Sequence, residues 1–194
     1  MSIALVAGLG NPGREYEGTR HNAGWLVLDA LAAKYRLTWR KVREFDAELA
    51  RWDVPGGDPV WLAKPLTYMN GSGTSIATVA RYHRIEINSI AVAYDDLTIE
   101  LGRLKISVTG SSGGHNGVTS VLEHIGDGFA RFRIGIGPKT PPEMDLKDFV
   151  LAKFSPEQFT IFQSKIDSTV QGLELLVRSG PDRAMNQLNR REPS

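Results

Sequence analysis

Cysteine is missing altogether from this chain of 194 residues. That absence excludes a disulfide framework, thiolate catalysis and cysteine-ligated metal together, and it fits a reducing compartment, with cytoplasm the default. Charge of one sign is missing too, with 23 Lys and Arg against 22 Asp and Glu, so a polyanionic partner would have to meet a local basic patch. No apolar run approaches the roughly 20 residues that span a bilayer. The opening "MSIALVAGLGNPG" has no basic leader, and it reads as a buried strand, not a signal peptide, so a soluble protein is expected. There is no internal repeat and no low-complexity linker. With 41% hydrophobic residues, the length suits one substantial core, and one domain over residues 1–194 is expected.

Strand-like runs alternate with helical periodicity. "SIALVAGL" at 2–9 reads as a strand, and 24–37 reads as a helix with Trp25, Leu28, Leu31, Ala32 and Tyr35 on one stripe. "FDAELARWDV" and "PVWLAKP" flank the turn signal "PGGD" and predict a hairpin. A helix near 72–84, strands at 89–96, 102–108 and 130–137, and a short helix after Gly117 follow. "SPEQF" at 155–159, with Pro156 at the first helical position, opens a long helix to about Ser179, and "PDRAMNQLNR" closes the chain as one more. The expected fold class is α/β, with a twisted mixed sheet covered by helices on both faces and kept from being wholly parallel by its hairpin. The loop at 137–145 is the one segment expected to be mobile.

"GLGNPG" at 8–13 has the glycine spacing of a dinucleotide-binding turn, yet Pro12 and the polar stretch after it delay the helix to about Asn22. The next suitable acid, Asp29, falls inside that helix, so the nucleotide reading loses its context and a tight turn is the better account. The G-x-S-x-G elbow of acyl-enzyme serines is absent. His21, His83, His115 and His124 form no paired-histidine metal motif. Water activated by a histidine and oriented by a carboxylate remains. Asp95, in "AYDDL" at the end of an apolar strand, offers the carboxylate, although by residue type alone a cap or turn former is the better reading.

Asn11, Asn22, Asn70 and Asn116 all fall at strand-to-helix junctions. One alone would be a cap or a turn residue. Four at one sheet edge point to a pocket of neutral donors and acceptors, suited to a carbonyl substrate and its developing oxyanion.

"GLGNPG", "TRHNAG", "KPLTYMNGSG", "YDDL" and "GSSGGHNG", in this order and followed by "FRIGIG" and "DFVLAKFS", resemble the bacterial-type peptidyl-tRNA hydrolase family over most of the chain. The resemblance implies a small monomeric α/β enzyme that cleaves the ester between a peptide and the terminal ribose of tRNA, without metal or organic cofactor. It makes His21 the base that activates water and Asp95 the partner that orients it. Asn11 completes the catalytic set by inspecting the acylated amino group. Asn70 and Asn116 would hold substrate and water, His115 would support its loop, and the glycines before it would allow close backbone approach. Tyr16 and Tyr68 would lie along the path of the terminal bases or the peptide. Tyr94 and Thr98 stand where the family often has histidine and an acid. Among Arg103, Lys105, Arg131 and Arg133, the basic residues nearest the site, some are expected to meet phosphate. A nucleotide-binding oxidoreductase and a non-catalytic RNA-binding module are the rival classes.

Overall fold

The computed structural model describes residues 2–190. Its sheet has seven strands: β1 Leu5–Gly8, β2 Arg40–Val42, β3 Ala47–Asp53, β4 Pro59–Pro65, β5 Ile90–Glu100, β6 Leu104–Ser107 and β7 Ala130–Gly137, in spatial order β2-β3-β4-β1-β5-β7-β6. The four central strands, β4, β1, β5 and β7, run parallel. The β3–β4 hairpin, β2 and β6 pair antiparallel at the edges. The mixed sheet expected from the hairpin signal is therefore present.

Both faces of the centre are covered, which is why β1 reads as an unbroken apolar run and not as an alternation. Val6 joins one core with Val27, Leu28 and Leu31 of helix α1 (Ala23–Lys34) and Leu173 and Leu176 of α5 (Pro156–Leu188). Leu5 and Ala7 join the other core with Ile76 and Val79 of α2 (Ser72–His83) and Val118 and Val121 of α3 (Asn116–Ile125). The first glycine of "GLGNPG" serves this packing: a Cβ on Gly8 would lie 2.7 Å from Leu28 Cδ1, and one on Gly24 would lie 2.3 Å from the Ala93 carbonyl oxygen. The motif is the seat of α1 on β1, with the helix starting 10 residues after Gly13, at Ala23.

Ser155 caps α5, Pro156 is its first residue, and Gln158 closes a capping box. Gly180, at φ 76°, kinks that helix just before Pro181, where the second terminal helix was expected. Among the described strands and α-helices, two lie outside the sequence expectations: the three-residue edge strand β2, and α4 (Leu146–Leu151), which follows the 137–145 loop. β5 also runs on to Glu100, past the expected end at 96, through an irregularity after Asp96.

Candidate active site

After β1 the chain passes to α1 on one face of the sheet, and after β4 it passes to α2 on the other. Connections leaving adjacent parallel strands in opposite directions open a crevice at the carboxyl ends of those strands. A cleft of about 510 Å³ lies there, walled by the segments after β1 and β4, by β5, by the turn before α3, and by α4.

At its floor sits Asp95, 3% exposed. Its carboxylate meets two histidines: Nδ1 of His21 at 2.9 and 3.1 Å from its two oxygens, and Nε2 of His115 at 2.9 Å from Oδ1. The two rings lie 4.7 Å apart. Their remaining nitrogens differ. Nδ1 of His115 accepts from the Val118 N–H at 3.3 Å as the N-cap of α3, so the His115 proton sits on Nε2 and is donated to Asp95. Nε2 of His21 has no protein partner among the described residues and is left to the cleft as a basic lone pair. Burial alone would raise the Asp95 value, but the adjacent His115 and His21 outweigh it and hold the carboxyl well below the usual carboxylate range. The site therefore keeps a fixed negative charge beneath His21.

These three side chains also offer ligand atoms within 4.8 Å of one another, the spacing of a metal site. In this arrangement the Val118 N–H on Nδ1 makes the atom His115 turns toward Asp95 a donor.

The four asparagines divide. Asn70, in the short 3-10 turn after β4, and Asn116, the first residue of α3, are exposed on the cleft wall, their side chains with no hydrogen bond inside the protein among the described residues. Asn22 does not reach the cleft: its Oδ1 accepts from the Asn11 N–H at 2.9 Å and its Nδ2 donates to the Asn11 carbonyl at 3.0 Å. It is a buried brace, not a fourth member of the pocket. Asn11 lines the cleft, but its Oδ1 accepts from the Met69 N–H at 2.7 Å, so the group it turns to a substrate is the amide NH₂.

Gly113 and Gly114, at φ 59° and 82°, have open space where a Cβ would stand. Their positive φ values make the left-handed turn that precedes His115. Arg131 is buried and donates to the carbonyls of Gly110 (Nη2) and Ser111 (Nη1), bracing this loop from behind, so it is withdrawn from any phosphate. Arg133 pairs with Asp96 at 2.8 Å on the cleft wall, and Arg103 and Lys105 are exposed. Tyr68, 60% exposed, stands at the rim with Tyr16 edge-on at 6.3 Å. Tyr94 is buried with its ring 5.2 Å from that of His115.

Sequence reasoning missed the fourth wall, made by Leu146, Lys147, Val150 and Leu151 of α4. Its signal was present, since Asp145 precedes the run and caps the helix by accepting from the Lys147 N–H. Within the 137–145 loop, Lys139 Nζ donates to the carbonyls of Pro142 and Met144. No helix of the described residues is long and apolar enough to cross a membrane.

A histidine lone pair backed by a buried carboxylate and faced by amide side chains, at the switch point of a parallel sheet, suits the acid–base chemistry of an α/β enzyme. The chain belongs to the peptidyl-tRNA hydrolase family, whose model matches residues 5–194. It is similar to the peptidyl-tRNA hydrolase of Gloeobacter violaceus, 42% identical over 98% of this chain and 96% of that one, and to that of Lachnospira eligens, 40% identical over 95% and 98%. The crystal structure of peptidyl-tRNA hydrolase from Acinetobacter baumannii superposes with a TM-score of 0.90 at 37% identity, over 99% of this chain and 97% of that one.

Proposed function

We propose that this chain hydrolyses the ester joining a peptide to the 3′-terminal ribose of tRNA, with His21 as the base that activates water. The observation that carries this reading is the single basic nitrogen left to the cleft, Nε2 of His21, while the other three ring nitrogens of the His21–His115 pair are engaged. Family membership supplies the substrate class.

Water held between Nε2 of His21 and the amides of Asn70 and Asn116 gives its proton to Nε2 as its oxygen attacks the ester carbonyl carbon. The carbonyl π pair moves to oxygen, and fixed amide N–H groups stabilise that oxyanion. Asp95 stabilises the imidazolium and holds its ring in place. Collapse of the tetrahedral intermediate breaks the bond to the ribose oxygen, which takes the proton from His21, so a free peptide acid and a tRNA hydroxyl leave. Asn11 turns an NH₂ toward the acylated amine, where it donates to the acyl carbonyl. A free aminoacyl ammonium is itself only a donor and finds no partner there. Tyr68 and Tyr16 offer faces for the terminal bases.

The reaction calls on no metal or organic cofactor, and the expected setting is a cytoplasmic, monomeric protein folded as one domain over its 194 residues, acting on tRNA released from stalled translation. The test is incubation with an N-acetyl-aminoacyl-tRNA and measurement of released acetyl-amino acid. Release dependent on the protein supports the reading, whereas tight binding without release would return the chain to the class of RNA-binding modules.

A further inference from the structure

Arg20 stands beside the catalytic histidine and is 5% exposed, an unusual place for a guanidinium. One of its terminal nitrogens donates to the carbonyls of Phe149 at 3.1 Å and Ala152 at 3.2 Å, and the other donates to Gln158 Oε1 at 2.6 Å. Its plane lies 4.2 Å from the Phe149 ring centroid and 5.5 Å from that of Phe154. The backbone doubles the tie: the Arg20 N–H donates to the Ala152 carbonyl at 3.1 Å, and Thr19 bridges Lys153.

The acceptors are informative. Phe149 and Ala152 offer carbonyls at the carboxyl end of α4, where a cation is favoured by the helix dipole, and the Phe149 carbonyl is otherwise met only by the Ala152 N–H at 3.3 Å among the described residues. Gln158 belongs to the capping box of α5 and already accepts from the Ser155 N–H at 3.1 Å. At six residues, α4 is too short to hold itself. It nevertheless carries Leu146, Val150 and Leu151 into the cleft. His21, by contrast, has anchors of its own in Asp95 and in the Asn22–Asn11 brace.

We propose that Arg20 is a positioning residue for substrate binding, clamping the α4 wall at a set distance from His21 while contributing nothing to proton transfer. The inference rests on the hydrolytic reading above. Binding of substrate in the cleft then depends on Arg20, and the chemical step does not.

The experiment measures kcat and KM for N-acetyl-aminoacyl-tRNA hydrolysis by wild type, Arg20→Lys and Arg20→Met, with amide hydrogen exchange of α4. Lysine keeps the charge but lacks the fork that serves three acceptors at once. Expected is a rise in KM of roughly tenfold, equivalent to ~1.4 kcal/mol, with kcat and the acid limb of the pH profile held. Amides of α4 should exchange faster while those of β1 and β5 keep their protection. An unchanged KM, or a fall in kcat alone, overturns the proposal, as does failure of both variants to fold. If only Arg20→Met fails to fold, Arg20→Lys decides. Inactive wild type would instead remove the hydrolytic reading, and the exchange data would still report on the clamp.

Discussion

At residues 21 and 22 the histidine turns a nitrogen to the cleft and the asparagine is buried in backbone hydrogen bonds; at 115 and 116 the asparagine faces the cleft and the histidine is tied at both nitrogens. The same dipeptide thus divides its work in opposite ways. The difference comes from local geometry. His21 and Asn22 lie in a 3-10 turn that runs straight into α1, which turns Asn22 back on Asn11 and points His21 at Asp95. His115 precedes a helix and takes its N-cap, which consumes Nδ1 and puts Asn116 on the first, outward turn. Residue type sets what each side chain can do, and the number of atoms left without a partner sets what it does.

Exchanging the histidines should break the comparison most visibly. His21→Asn is expected to lose turnover by roughly 10² to 10⁴-fold, the usual worth of a positioned base, with fold and substrate binding kept. His115→Asn should lose far less, because asparagine also caps helices and only one bond to Asp95 disappears. Equal losses in single-turnover assays would erase the distinction drawn between the two pairs.

Asp95 serves both histidines, so its replacement sharpens the picture. Asp95→Asn should lower the neutral-pH rate by less than loss of the base, and should move the acid limb of the pH–rate profile to lower pH, since a neutral partner stabilises imidazolium less. Stability follows the same carboxylate. Its value in the folded protein lies below that of the unfolded chain, about 3.9, so its contribution is complete above that value and is lost as pH falls toward the folded one. Acid titration of unfolding free energy should therefore be flatter for Asp95→Asn below about pH 4 than for wild type.

The asparagines separate stability from activity. Asn22→Ala strands the buried N–H and carbonyl of Asn11, so about 1–3 kcal/mol of stability should be lost in thermal or denaturant unfolding. Asn116→Ala should leave the melting temperature unchanged and lower kcat/KM. The reverse pattern would mean that the two asparagines had been assigned the wrong way round. Smallest is the effect expected at Asn11, where Asn11→Asp should raise the ratio of kcat/KM on unblocked over blocked aminoacyl-tRNA, because a carboxylate pairs with the ammonium. A constant ratio would leave Asn11 as the brace of the Met69 turn alone.

Much of this was legible beforehand, for physical reasons that differ by region. The hairpin, α5 with its capping box and the buried strands β1 and β7 announce themselves through turn residues, caps and periodicity. The partners His21, Asp95, Asn70 and Asn116 were named by motif and resemblance, and they do meet at one sheet edge. What was not legible is hydrogen-bond saturation. Nothing in the residue types says that Asn22 and the Asn11 oxygen are already engaged, that Arg131 is sealed behind the loop it braces, or that both histidines share one carboxylate. Short elements were also lost: β2, three residues long, offers too little periodicity to read although its partner β3 follows directly, and α4 is held by a neighbour distant in sequence, Arg20, more than 120 positions away.

The pH dependence of kcat/KM in His21→Asn, set beside that of His115→Asn, tests the assignment of the base most directly. The acid limb of the wild-type profile should vanish from the residual activity of His21→Asn and persist in His115→Asn. An acid limb that survives in His21→Asn and disappears in His115→Asn would contradict the account, because the titrating base would then be the other histidine.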